Sequence, residues 1–156
     1  MKIVILGTAY PYRGGLATFN ERLARQFQAE GHDVEVVTFT LQYPSFLFPG
    51  KTQYSNEVAP TDLRIKRWVN SCNPFNWVSV GRKIRKMQPD MLITCYWMAF
   101  FAPCYGIIER IVKGNGKTRC LALVHNMIPH EPSLLDKLFA PFYVKSTDGF
   151  VALSDS

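Results

Sequence analysis

Short apolar runs recur along the chain at 2–6, 34–39, 63–66, 91–95, 118–124 and 150–153, and each predicts a strand. The unbroken apolar character of Ile3-Val4-Ile5-Leu6 and Met91-Leu92-Ile93 fits strands buried on both faces. Helix-like stretches lie between most of the runs, the rhythm of a parallel sheet covered on both sides. In the first of them Leu16, Phe19, Leu23 and Phe27 recur at spacings of 3, 4 and 4, while Glu21, Arg22, Arg25 and Gln26 take the opposite face. Gly31 is placed to end that helix as its C′ residue. Asn73-Pro74 reads as a cap and an N1 proline opening a second helix, which runs to about Met87 before Pro89-Asp90 breaks the chain. Two more helices are expected over 99–113 and 133–144, with Pro103 and Pro141 blurring their limits. The stretch 41–62 has no period; its prolines and the aromatics Tyr43, Phe46, Phe48 and Tyr54 suit a long functional or mobile loop. No repeat or linker divides the chain. The expectation is a single α/β domain over 1–156, Rossmann-like, with a doubly wound, mostly parallel sheet.

Composition narrows this picture. A chain of 156 residues suits one domain and can bury roughly two-thirds of its unfolded surface. A hydrophobic content of 47% with 19% charged residues describes an ordinary globular core. The opening apolar run is stopped by Gly7, well short of the roughly 7–15 residues of a secretory h-region. It is shorter still than the about 20 residues of a spanning helix. Cys72, Cys95, Cys104 and Cys120 show no CxxC pair or metal spacing, and they read as reduced, mostly structural thiols of a cytoplasmic protein.

The net charge of +6 is concentrated. Between Asp62 and Asp90 there is no acid but seven bases: Arg64, Lys66, Arg67, Arg82, Lys83, Arg85 and Lys86. A basic face of this kind selects a phosphate-bearing ligand or an anionic membrane, so these residues are the candidate membrane or acceptor surface on the inner face of the membrane. A solvated helix face is the alternative. Trp68, Phe75 and Trp77 interleave with the charges, as suits the headgroup level. Phe75 and Val78, three apart, equally suit an inward stripe.

Candidate chemistry falls at strand ends. Gly14-Gly15 stands where the first strand turns into the first helix; there backbone N–H groups and the helix N-terminus could meet a diphosphate. A plain tight turn would use the same residues. No GxGxxG follows the strand and no acid follows Val36-Val37-Thr38-Phe39 to hold a ribose, which disfavours a dinucleotide site. His125 follows the apolar run Leu121-Ala122-Leu123-Val124, at a strand's carboxyl end. Its imidazole could bond a sugar hydroxyl or take its proton, or be satisfied by local backbone. Ser154 follows the last strand, facing the same cleft or serving as a cap. Glu21 and Arg22 take solvated surface as their default. His125, His130 and Glu131 match no common ligand spacing, so no metal and no cofactor are expected.

In order, these pieces resemble the N-terminal domain of the retaining GT-B glycosyltransferases of family GT4. The resemblance rests on Lys2-Ile3-Val4-Ile5-Leu6 leading to Gly14-Gly15, on Phe19-Asn20-Glu21-Arg22-Leu23-Ala24 and on Gly31-His32-Asp33-Val34. It continues in Pro89-Asp90-Met91-Leu92-Ile93, in His125-Asn126 with Pro129-His130-Glu131, and in Asp148-Gly149-Phe150-Val151-Ala152-Leu153-Ser154. It implies one half of a GT-B fold, the acceptor side, facing a donor-binding C-terminal domain absent from this chain. It further implies a nucleotide-diphosphate sugar as donor substrate and a glycan or lipid-linked acceptor, with no nucleic acid. By position Gly14 and Gly15 would contact the donor diphosphate and His125 would sit near the transferred sugar, with Asn126 and Ser154 lining the site. Asn126 departs from the pattern, since many relatives carry an acid there. A fragment without the donor half should be inactive. The alternative is a stand-alone nucleotide- or phosphate-binding α/β module. Its response-regulator form is opposed by Leu6-Gly7 and Cys95-Tyr96, which stand where carboxylates are needed.

Overall fold

The computed structural model describes residues 1–10, 12, 15–41, 60–96, 99–124 and 141–152. Its strands are β1 (Lys2–Leu6), β2 (Asp33–Leu41), β3 (Ile65–Asn70), β4 (Met91–Tyr96), β5 (Arg119–Val124) and β6 (Gly149–Ala152). The helices are α1 (Gly15–Ala29), α2 (Pro74–Met87) and α3 (Ala102–Lys113), with further helical residues at 141–146. The strands form one sheet in the order β3-β2-β1-β4-β5-β6, parallel at every pairing. The chain winds outward from β1 to β3, returns to pair β4 with β1, and winds outward again. That reversal makes the junction of β1 and β4 the switch point of a Rossmann-like, doubly wound sheet.

Strand alternation sends side chains to two separate cores. Ile3, Ile5, Val34, Val36, Ile93 and Cys95 share one with Ala24 of α1, and Phe19, Leu23 and Phe27 pack against it. Val4, Leu6, Val37, Phe39, Leu92 and Tyr96 share the other with Trp77, Val80 and Ile84 of α2 and Tyr105, Ile108 and Val112 of α3. Both faces of β1 and β4 are therefore dry, which is why their sequences are apolar without alternation.

Several boundaries differ from the pattern-based expectation for physical reasons. The innermost line of α1 is Ala17, Asn20 and Ala24, small residues that bring the helix close to the sheet. The larger apolar stripe flanks that line. Gly31 ends α1 as expected, at φ +91, with His32 N–H donating to Phe27 O and Gly31 N–H to Gln28 O, a Schellman closure. Asn73 caps α2 by accepting from Phe75 and Asn76 N–H, again as expected. The third strand was expected at 63–66, yet β3 is displaced toward the C-terminus and ends at Asn70. As an edge strand it pairs on one side only, and its charged positions interrupt the apolar run that would mark it. The helix expected from 99 opens as a 3-10 turn at Ala99–Phe101, because Pro103 in the first turn of α3 has no N–H to extend an α pattern backward. Of the helix expected over 133–144, only residues from 141 lie among the described ones.

Glycine allows α2 and α3 to touch. A Cβ at Gly81 would come within 2.9 Å of the Ile111 Cβ, so the two helices pack backbone to side chain at that point. At the amino edge of the sheet, carboxylates pin strand register. Asp90 accepts the Lys2 N–H at 2.7 Å, and Asp148 accepts the Cys120 N–H at 2.8 Å while pairing with Lys113. The Lys2 N–H, aided by Lys117, holds the Asp90 carboxyl below its usual range. The motif residues Asp90 and Asp148 are thus structural.

Glu109 of α3 is fully buried. It accepts hydroxyl bonds from Ser146 and Thr147, both at 2.8 Å, and so ties α3 to the approach to β6. Burial pushes its carboxyl up to about 7 against those two hydroxyls, which favour the charged form. A folded-state value above the unfolded one means that the neutral acid stabilises the fold. That contribution is complete below about pH 4.5 and is lost as pH rises through about 7. We expect wild-type stability to fall over this window by on the order of 3 kcal/mol. Glu109→Gln should flatten that decline in urea unfolding followed from pH 5 to 8. Parallel pH profiles for the two proteins would show that Glu109 is not the titrating group.

Candidate active site at the carboxyl edge

The connection from β1 to α1 is shaped by side chains from three other places. Gly7 N–H donates to Val37 O at 3.1 Å, and Ala9 N–H donates to the Thr38 Oγ1 at 3.1 Å, both on β2. Tyr10 N–H donates to Glu21 Oε2 of α1 at 2.9 Å. Asn20, fully buried, donates from Nδ2 to Thr8 O at 2.8 Å and accepts the Cys95 thiol on Oδ1 at 3.1 Å. Burial in this apolar surrounding pushes the Cys95 thiol up to about 12 and keeps it a neutral donor. Gly7 is required here: a Cβ would stand 2.7 Å from the Cys95 Cβ. The loop is therefore drawn flat onto the carboxyl end of β4.

Gly15, the first residue of α1, is different. Among the described residues a Cβ there would meet nothing within 4 Å, and its φ is not in the left-handed region. Among the described residues neither packing nor backbone demands glycine at this position, and none fills the space beside it on the exposed helix N-terminus, where backbone N–H groups favour an anion.

Beneath this edge lies an aromatic floor that sequence reasoning missed. Tyr96 and Tyr143 stack at 4.8 Å, and Phe101 meets Tyr105 at 5.8 Å and Phe39 at 5.3 Å. Tyr105 donates its hydroxyl to Cys95 O, and the Tyr143 hydroxyl bonds Thr94 Oγ1. The rings come from β2, β4, the 3-10 turn at Ala99–Phe101, α3 and the helical turn at 141–146, and no sequence period links them.

His125, Asn126, Gly14 and Ser154 lie outside the described residues, as do His130 and Glu131. The strands that precede them are placed. Leu6 is level with Thr94 and Thr94 with Ala122, so the end of β1 stands two strand spacings, about 10 Å, from Ala122, and β5 runs two residues further to Val124. Glu21, read by default as solvated surface, instead anchors the loop through Tyr10, while Arg22 is exposed.

The basic segment does not act as one unit. Arg64 pairs with Asp33 and Glu35, and Lys66 with Glu35. Arg67 donates to Phe39 O and Thr40 O, with its guanidinium 5.7 Å from the Tyr12 ring centre. Arg82, Lys83, Arg85 and Lys86 stand apart on the outer surface of α2. Of the interleaved aromatics, Phe75 is 87% exposed whereas Trp77 is core, so the inward stripe runs through Trp77, Val80, Gly81 and Ile84.

The profile described as Glycosyltransferase Family 4 matches residues 13–156. The chain belongs to glycosyltransferase family 4. This family 4 domain has the fold of solved glycosyltransferases. It is similar to an α-glucosyltransferase in complex with UDP and a 13-mer DNA containing a central A:G mismatch, with TM-score 0.62 and 15% identity. That likeness covers 99% of this chain and 37% of the other. An α-glucosyltransferase in complex with UDP gives TM-score 0.59 at 16% identity, over 99% of this chain and 35% of that one. The domain thus spans little more than a third of the length of these structures. No match to a curated protein was found. Among the described residues, no helix is long and apolar enough to cross a membrane.

Removing the Asn20 side chain would take one hydrogen bond from the Thr8 carbonyl and one from the Cys95 thiol in a dry site. Asn20→Ala should lower the unfolding free energy by about 1–3 kcal/mol. Glu21→Ala, which exposes one backbone N–H to water, should cost clearly less. Urea unfolding of both variants checks the order; an Asn20→Ala protein as stable as wild type would show that this junction does not hold the loop.

Proposed function

We propose that this domain is the acceptor-side half of a retaining glycosyltransferase that moves a sugar from a nucleotide-sugar to a glycan or lipid-linked acceptor. The observation that carries the reading is the family match over residues 13–156, on a sheet whose switch point lies beside a glycine, at a helix N-terminus, that no described residue crowds. Ligands of open parallel sheets bind outside the carboxyl ends of the strands at such a point. The donor diphosphate would approach Gly14 and Gly15, where no side chain of the first helical turn is acidic. His125, next in sequence after Val124 of β5, would position or exchange a proton with the sugar being transferred, with Asn126 and Ser154 as its neighbours in the site. Most donor contacts would come from a second, C-terminal domain, in keeping with the share of longer glycosyltransferases that this chain spans.

Two outcomes follow. The 156-residue chain alone should bind UDP- and GDP-sugars more weakly than about 0.1 mM and transfer nothing, because a donor held between two domains loses most of its contacts when one is missing. Gly15→Val should abolish what binding remains without shifting thermal unfolding, since no described residue stands within 4 Å of a Cβ at that position. Calorimetry on both proteins checks this; unchanged binding by the valine variant would remove the diphosphate from α1. In the two-domain enzyme, His125→Ala should lower kcat by about 10²–10⁴-fold while donor affinity changes little. Turnover at the wild-type level with saturating substrates would leave His125 a structural residue.

A further inference from the structure

Helix α2 carries its charges differently from the rest of the chain. Its inward line of Trp77, Val80, Gly81 and Ile84 is spent on the core, and its outward surface holds Arg82, Lys83, Arg85 and Lys86 with no acid. Among the described residues, ion pairs take up Arg64 and Lys66 of the β3 region but none of these four. Lys83 rests 5.0 Å from the ring centre of Trp68, which Lys66 approaches from another position at 5.1 Å. At the start of the helix Phe75 leaves 87% of its surface in water. Phe75, Val78, Ser79, Arg82, Lys83 and Lys86 line a depression of about 490 Å³ on this surface.

The start of α2 is fixed rigidly. Asn70 N–H donates to Asn76 Oδ1, Asn76 Nδ2 donates to Trp68 O, and Trp77 Nε1 donates to Asn70 O. Because α2 follows β3 directly, Phe75 stands at the carboxyl edge of the sheet, the edge that carries the β1–α1 loop. The cationic turns then run away from that edge along the helix.

We propose that the outer surface of α2 docks this protein on a bilayer containing anionic phospholipids, with Phe75 entering the headgroup region and Arg82, Lys83 and Lys86 meeting lipid phosphates. An exposed apolar ring on one helix face, beside cations that no described acid pairs with, is the chemistry of an interfacial helix. Charge complementarity sets the partner's sign, since no acid lies anywhere between Asp62 and Asp90 to repel it. A nucleic acid would satisfy the same cations, and the duplex arm of the test below separates it from a bilayer. This inference goes beyond the transferase reading and does not depend on which acceptor the enzyme uses.

The test is co-sedimentation of the 156-residue chain with sucrose-loaded vesicles, either of phosphatidylcholine alone or with about a third phosphatidylglycerol. The chain should sediment with the anionic vesicles only, and less as salt is raised. A Lys or Arg near an anionic leaflet contributes about fivefold to partitioning, so R82Q/K83Q/K86Q should weaken it roughly 100-fold. Phe75→Ser should reduce binding about tenfold and remove the part that survives high salt. Ser79→Glu, a single exposed change that introduces an acid, should weaken binding while leaving thermal unfolding at the wild-type temperature. Failure to bind anionic vesicles, equal binding to neutral ones, or indifference to both the triple change and Ser79→Glu would each overturn the proposal. So would tighter binding to duplex DNA that the same triple change abolishes, which would assign the surface to nucleic acid.

Discussion

The close approach of Gly7 to Cys95 is the constraint on which the carboxyl edge depends. Any side chain at Gly7 would drive the loop away from β4, because the Cys95 Cβ already occupies that space. With the loop seated, its backbone groups must be satisfied in a dry place, and the bonds come from two elements. Asn20 and Glu21, adjacent on α1, supply two of them, and Thr38 of β2 supplies the third. The start of α1 is therefore fixed relative to three strands, and so is the glycine that opens it. An anion site made of backbone N–H groups needs this kind of placement, because it has no flexible side chain with which to correct an error.

The two edges of the sheet divide the labour. At the amino edge, Asp90 and Asp148 spend their charge on neighbouring backbone N–H groups and basic side chains, setting register. At the carboxyl edge, polar groups hold loops above the aromatic floor. Glu109 stands between the two roles. Its buried carboxyl fastens the chain entering β6 to α3, so its protonation bears on the last strand of the sheet. Arg110 reinforces the same junction by lying 3.7 Å over the Phe142 ring, and Gly106 leaves room for that ring.

Charge sign was a poor guide to charge function until partners were known. Arg64 and Lys66 lie in the same acid-free segment as Lys83 and Lys86, yet the former are consumed by Asp33 and Glu35 across a strand pair. The Arg64–Asp33 pair, half-exposed on both sides, contributes little to stability, typically under about 1 kcal/mol, while the pairs of Arg64 and Lys66 with Glu35 end on a buried carboxylate. Their consequence is electrostatic: they cancel the field over β3 and leave the α2 surface as the cationic face.

By itself the sequence determined the layers and much of their order. Doubly buried strands must be continuously apolar, so β1 and β4 were legible, and the cap at Asn73 and the glycine at Gly31 marked helix ends through local backbone chemistry. The family motifs at Asp90 and Asp148 were legible as well, although the two aspartates proved to be register pins. The edge strand β3 was misplaced, because pairing on one side removes the need for an unbroken apolar run. Gly7, Asn20 and Cys95 could not be joined, nor could Phe39, Tyr96, Phe101, Tyr105 and Tyr143. Their direct contacts reach across up to 88 residues of chain, from Gly7 to Cys95, and no local period encodes them. Only tertiary structure decided which basic residues were already paired, because an ion pair across strands depends on register and not on distance along the chain.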